Sequence, residues 1–200
     1  MKLTLGSFLI GLLIVAILAA GGFYAYTRLQ ETHIVSLEDS IANLQAEVVP
    51  LRFMILSRQA DSLTVRIRFY NLAGEEFGML ETTLPGHELF VDFLAAPYRD
   101  SWLAFPVLLF TESIAPANGI ELKTIVAPNG QPLTYSGGAF GEAALGQLAE
   151  VYQALLSGQP VKGAFGNAVH DIAELETFSP GLVYKAVIRT KGGIEIIEDN

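Results

Sequence analysis

The longest uncharged stretch of the chain, which lies at its N-terminus, restricts the fold more than any other feature. No charged residue occurs between Lys2 and Arg28, and residues 8–20 are almost purely aliphatic. About 20 apolar residues cross the roughly 30 Å hydrocarbon core of a bilayer as a helix, and backbone groups in lipid must pair within that helix. Residues 1–27 are therefore predicted as a transmembrane anchor in the lipid bilayer, with aromatic residues at its far end, where such rings favour the interface (Phe23, Tyr24, Tyr26).

A cleaved secretory signal is the alternative interpretation of this stretch, because the small residues at 19–22 could form a peptidase site. The apolar part of a signal is usually about 7–15 residues long and follows a positive region. Here the apolar run is longer and only Lys2 precedes it, which favours an uncleaved anchor. The predicted location is the inner (cytoplasmic) membrane, crossed once, with the amino terminus in the cytoplasm and the bulk of the chain extracytoplasmic.

A helical stalk is predicted for residues 28–49. Aliphatic residues recur there at spacings of 3, 4, 3 and 4, which is a coiled-coil seam, and Pro50 is expected to end the helix (Ile34, Leu37, Ile41, Leu44, Val48). Two interpretations stay open. The stalk could pair with a copy of itself and form a homodimer, or it could be an amphipathic helix that packs its apolar stripe on the chain's own domain or simply connects that domain to the anchor.

Residues 50–200 are predicted as a β-rich extracytoplasmic domain, because the apolar period changes to two after Pro50. Leu51, Phe53 and Ile55 alternate with polar residues, and so do the apolar residues of 63–69. Further strands are expected at 79–84, 88–94, 102–111 and 120–126, with a bulge or an edge position at Pro106 and a loop at 96–101. About six strands at this spacing favour a mainly antiparallel, sandwich-like domain.

The last third of the chain combines helical and strand patterns. Residues 141–156 predict an amphipathic helix that Gly158 ends, and a second, shorter helix is predicted from Asn167 to Glu176. A hairpin is expected at 182–197 across Lys191-Gly192-Gly193. The predicted fold class is α+β: a transmembrane helix and helical stalk, then a mainly antiparallel β domain with one or two helices near the C-terminus.

Composition excludes several kinds of chemistry. The chain has 12 basic and 21 acidic residues, a net charge of −9 and no cysteine, so nucleic-acid binding, disulfides and thiolate sites are disfavoured. His33, His87 and His170 lack any metal-ligand spacing, and no nucleophile elbow or phosphate loop occurs. We expect no metal, no cofactor and no assignable catalytic residue.

A binding surface is the remaining candidate for a site. Tyr98 and Trp102 flank the Arg99–Asp100 pair and are the aromatic residues expected to be exposed, and His170 is the histidine best placed to join such a surface. The leading hypothesis is a membrane-anchored envelope protein, not an enzyme, whose outer domain binds a partner protein or acts as a structural adaptor. The alternatives are a tethered hydrolase of an envelope polymer or lipid, and a carrier of a lipid or small ligand.

Overall fold

The computed structural model describes residues 47–98, 101–138, 140–159, 169–174, 179–189 and 193–199, without the side chains of 97, 98, 101 and 169–174. Within these residues, nine strands form two antiparallel sheets over one hydrophobic core, a sandwich-like arrangement that confirms the predicted β architecture. The strands are β1 (Val48–Gln59), β2 (Ser62–Tyr70), β3 (Glu76–Pro85), β4 (Leu89–Tyr98), β5 (Ser101–Thr111), β6 (Ile120–Glu121), β7 (Val169–Glu174), β8 (Val183–Ile188) and β9 (Ile194–Glu198).

The larger sheet has five strands in the order β3-β2-β1-β8-β9. Its inner face is apolar because alternate residues of β1 and β2 are fully buried, among them Leu51, Ile55 and Val65. Leu56 is an extra residue in β1, since Ile55 pairs with Val65 but Ser57 pairs with Thr64. This β-bulge sets the register of the rest of the hairpin.

The smaller sheet has four strands in the order β6-β5-β4-β7. Both of its faces are covered near the centre, because consecutive residues of β4 and β5 are buried. Pro106 pairs with Phe93 and Leu108 with Asp92, so Val107 is the extra residue of a bulge, as the proline predicts. The short edge strand β6 pairs with Leu108 and Leu109, and no other described strand pairs with that side of β5.

Two α-helices follow the first six strands in the described part of the chain, and the longer one matches its prediction. They are α1 (Lys123–Val126) and α2 (Glu142–Leu156). Gly158 ends α2 with a φ of +65°, and the N–H groups of Gly158 and Gln159 bind the carbonyl oxygens of Leu155 and Ala154. This pair of bonds is the Schellman motif, for which glycine is the favoured residue.

Three sequence predictions are corrected by the structure. The second helix predicted at 167–176 is wrong: Val169–Glu174 form β7, which pairs antiparallel with β4. The strand predicted at 120–126 is limited to β6, and its second half is α1. The loop predicted at 96–101 is mostly strand, since β4 reaches Tyr98, which pairs with Ser101.

The predicted anchor and most of the predicted stalk lie outside the described residues. Val48 and Val49, which the spacing placed in the stalk, belong to β1 together with Pro50. No helix in the described part of the chain is both long and apolar enough to cross a bilayer.

Candidate functional site

The three residues predicted to form a binding surface are not brought together. Trp102 pairs with Pro97 across the β4–β5 hairpin, and it is half-buried against the core. The register puts the positions of Tyr98 and His170 on the opposite face of that sheet, because His170 pairs with Leu94, four residues before Tyr98. Four residues of strand span about 13 Å, so even these two positions lie well apart.

Charged residues are instead concentrated on another surface, the outer face. The outer face is the side of the five-stranded sheet that points away from the core. Polar and charged residues of β2 alternate with its buried ones, and Arg66 and Arg68 lie on this outer side. Arg52 of β1 and Lys185 of β8 occupy the same side. Four of the 12 basic residues of an acidic protein are therefore concentrated on one sheet surface.

Three of these cations form a row across adjacent strands. Arg52 is directly opposite Arg68 on one side and directly opposite Lys185 on the other. We call Arg68, Arg52 and Lys185 the cation row. The next residues along the same line are Met79 of β3 and Ile197 of β9, which are 53% and 36% exposed and are two of the large exposed hydrophobic side chains.

Carboxylates of the same sheet partly balance the row. Asp199 lies 2.7 Å from Nε of Arg52 and 2.9 Å from Nζ of Lys185. Hydrogen bonds from Lys185 and Arg52 lower the pKa of Asp199, despite the opposing effect of partial burial. Arg68 has a looser partner, since its Nη1 atom is 3.5 Å from Glu76.

The cations of the row differ in how well their ion pairs offset the repulsion between them. Like charges directly opposite each other in a sheet are destabilising. An exposed ion pair typically contributes only about 0–1 kcal/mol, and side chains such as Arg68 and Glu76 are 48% and 38% exposed. Arg52 and Lys185 share the less exposed Asp199, whereas Arg68 has the loose, exposed pair with Glu76.

A depression of about 190 Å³ adjoins the cation row. Its lining combines cationic, aromatic and aliphatic side chains of β1, β2 and β8 (Arg52, Met54, Arg66, Arg68, Tyr70, Val183). The guanidinium of Arg52 lies 4.4 Å from the centre of the Tyr70 ring, and Nε of Arg66 binds Glu81 at 2.7 Å. Arginine, tyrosine and methionine are the residue types enriched where proteins contact one another.

A second, wider groove of about 870 Å³ runs beside α2. Its walls are the turn at 129–131 and an exposed side of the helix that carries two acids and small residues (Glu142, Leu145, Gly146, Ala149, Glu150). Among the described residues, no three His, Asp or Glu side chains are close enough to hold a metal ion. The described lining of the groove contains neither cations nor aromatic side chains, so the outer face is the stronger candidate.

The sequence alternation indicated that Arg52, Arg66 and Arg68 lie on a solvated face, but it did not show that Arg52 and Arg68 are opposite each other. No protein-family model matches this chain, and it matches none of the curated proteins or solved structures with which it was compared.

Proposed function

We propose that this chain is a single-pass protein of the inner membrane whose sandwich domain is a protein-binding adaptor. In this proposal the anchor at 1–27 holds the domain on the extracytoplasmic side, and a partner protein docks on the outer face. The observation that carries the proposal is the cation row, flanked by exposed Met79 and Ile197 and adjoined by the Arg- and Tyr-lined depression.

The chemistry of the surface defines the partner. Three aligned cations favour carboxylate groups, and the guanidinium groups of Arg68 and Arg66 are exposed enough to donate bidentate hydrogen bonds to them. The apolar side chains at both ends of the row would contact aliphatic residues on either side of the acids. The expected ligand is therefore an acidic segment of a protein, with apolar residues beside the carboxylates.

Photo-crosslinking in the native membrane tests this function. A photoreactive amino acid replaces Met79 on the outer face or, as the matched control, Leu156, which is 42% exposed at the end of α2. We expect an adduct with another protein from position 79 but not from position 156. Peptide mapping of the adduct should identify an acidic segment.

Charge variants connect the adduct to the row. Arg68→Glu should abolish the adduct from position 79, whereas Arg58→Glu, which changes an arginine near the end of β1 and outside the row, should leave it unchanged. Adducts that form equally from both positions, or that do not depend on Arg68, would refute the proposal.

A further inference from the structure

The outer face has a candidate occupant within the chain itself. We propose that residues 28–46 dock on the outer face of the same molecule and occupy the surface that the partner uses. This inference rests on the proposed function, because it names what regulates that same surface. It also chooses between the two interpretations of the stalk that the sequence leaves open.

The point at which the chain enters the domain supports docking on this face. Residue 47 is followed at once by β1, the middle strand of the five-stranded sheet. The Glu47 carboxylate already binds the guanidinium of Arg189, which also binds Glu195 of β9 at 2.6 Å. Residues 28–46 therefore join the domain at the centre of its width, beside the strands that form the outer face.

The charges of the segment and of the surface are complementary. Residues 28–46 contain Glu31, Glu38 and Asp39 but only one basic residue, Arg28. The opposing surface presents the three cations of the row, of which Arg52 and Lys185 share the single carboxylate of Asp199 and Arg68 has the loose pair with Glu76. As a helix, the segment would place Glu31 and Glu38 two turns apart, about 10.5 Å, on one flank of its apolar stripe.

The apolar groups are complementary too. The stripe of the segment is formed by aliphatic side chains (Ile34, Leu37, Ile41, Leu44). The outer face offers half-buried Met54 and Val183 in its depression and exposed side chains at its edges. A helix of 19 residues is about 28 Å long, so running back from residue 47 along β1 it would reach past Arg52 and Met54, which lie about 17 and 23 Å from that residue.

Docking within one chain has an advantage over pairing of two stalks. A tethered segment meets its own domain at an effective concentration in the millimolar range, without the loss of freedom that joins two molecules. Both arrangements would bury the same apolar stripe, so they exclude each other. The docked segment would offer the same carboxylate and aliphatic groups as the partner, and binding of the partner would require its release.

Disulfide mapping tests the inference directly, because the chain contains no cysteine. In the full chain in its membrane, the double variant Leu37→Cys, Met54→Cys joins the apolar stripe to the depression. Mild oxidation should give a crosslink within one chain, seen as a mobility change without a dimer band. The matched control is Asn43→Cys, Met54→Cys, since residue 43 lies on the other side of the predicted helix, and it should crosslink far less.

A charge exchange then tests the role of the row. Adding Arg68→Glu should lower the rate of the 37–54 crosslink roughly two- to fivefold, the range that one exposed ion pair supports. A further Glu38→Arg substitution should restore the rate. Equal crosslinking of the two cysteine pairs, no crosslink at all, or a dimer joined through position 37 of two chains would each overturn the inference.

The two proposals fail separately. If residues 28–46 do not dock, the 37–54 crosslink is missing while the partner adduct from position 79 is retained. If the outer face binds no partner, the adduct is missing while the crosslink forms. Where both proposals hold, Leu37→Glu, which disrupts the apolar stripe, should increase the yield of the partner adduct.

Discussion

The hydroxyl group of Tyr135 forms hydrogen bonds with backbone groups of β5 on the side where no described strand pairs with them. It accepts a hydrogen bond from the backbone N–H of Ala104 at 2.9 Å and donates one to the carbonyl oxygen of the same residue at 3.2 Å. This part of β5 has no partner strand on that side within the described residues, because β6 pairs only with Leu108 and Leu109. Buried backbone groups without partners are costly, so one side chain satisfies a position that the short edge strand leaves open.

Tyr135 and Tyr152 are both buried against the ring of Phe105, so their phenylalanine variants form a matched pair. The rings of Tyr135 and Tyr152 lie 5.3 and 5.0 Å from Phe105. The Tyr152 hydroxyl, however, has no hydrogen-bond partner within the described part of the chain. Tyr135→Phe should lower the free energy of unfolding by about 1–3 kcal/mol, because two buried backbone groups lose their partner, while Tyr152→Phe should be neutral or stabilising.

Urea unfolding of the full chain in detergent, followed by the fluorescence of its single tryptophan, measures both changes. Equal losses in the two variants would contradict the role assigned to the Tyr135 hydroxyl.

The carboxylate of Glu112 binds the loop between β3 and β4, and we expect this contact to make the stability of the fold depend on pH. Its carboxylate accepts backbone N–H bonds from His87 at 2.7 Å and Glu88 at 2.9 Å. Desolvation raises the pKa of Glu112, but hydrogen bonds from the backbone N–H groups of Glu88, His87 and Glu112 and from the Ser113 hydroxyl together lower it by more, so the net pKa is below the usual 4.5. A side chain at position 86 would collide with this carboxylate, and the φ of Gly86 is +108°.

The sign of the pH effect follows from that depressed pKa. The unfolded chain binds the proton first, so the carboxylate stabilises the fold fully above about pH 4.5, and this stabilisation is lost as the pH falls through the folded pKa. Glu112→Gln should therefore unfold more easily than the wild type at neutral pH, and the difference should shrink in acid. Unfolding curves between about pH 3 and 7 test this, and a constant difference would contradict it.

At the scale of single elements, α2 contains a glycine that its packing does not require. Gly146 lies within the helix, and a Cβ added there would meet no atom within 4 Å. Gly146→Ala should raise the free energy of unfolding by about 0.5–1 kcal/mol, because glycine is the more flexible residue in the unfolded chain. Gly158→Ala is the control and should destabilise, since its φ is +65°. Thermal unfolding that shifts both variants in the same direction would be inconsistent with this account.

The sequence predicted the local hairpins well because their information is local. Alternation identified β1 with β2, the turn residues at 191–193 identified the hairpin of β8 with β9, and helical spacing identified α2. It failed for β7, whose six residues are too few to separate a period of two from one of 3.6. Residues 169–174 form a strand because they pair with the open side of β4. The strand β4 lies about 80 residues away in the chain, so this pairing cannot be read from the local sequence.

The cation row could not be predicted for a related reason. A two-residue turn at 60–61 pairs Gln59 with Ser62, and a regular hairpin with that register would place Arg52 opposite Phe69. The bulge at Leu56 shifts the pairing by one residue and brings Arg52 opposite Arg68. Lys185 joins the row only through the distant β8 strand. The residue types were readable from the sequence, but their alignment was not.

At the scale of the whole molecule, the predicted topology separates a short cytoplasmic end from the sandwich domain. A chain without cysteine allows single-site labelling. We expect Ala73→Cys, in the exposed turn between β2 and β3, to react with a membrane-impermeant maleimide in cells whose outer barrier is opened. Lys2→Cys should react only after the inner membrane is permeabilised.

The reverse pattern would place the domain in the cytoplasm. A protein released from membranes by alkaline carbonate would contradict the anchor at 1–27.

The position of β1 in its sheet determines when the domain can be completed. This strand is first in the described chain, yet it lies between β2 and β8, and Val48 pairs with Ile188. During synthesis the ribosome releases β1 long before β8, so one side of the central strand stays open until residues 183–188 have emerged. The five-stranded sheet can therefore be completed only after β8 and β9 have been synthesised, although its first strand was made long before.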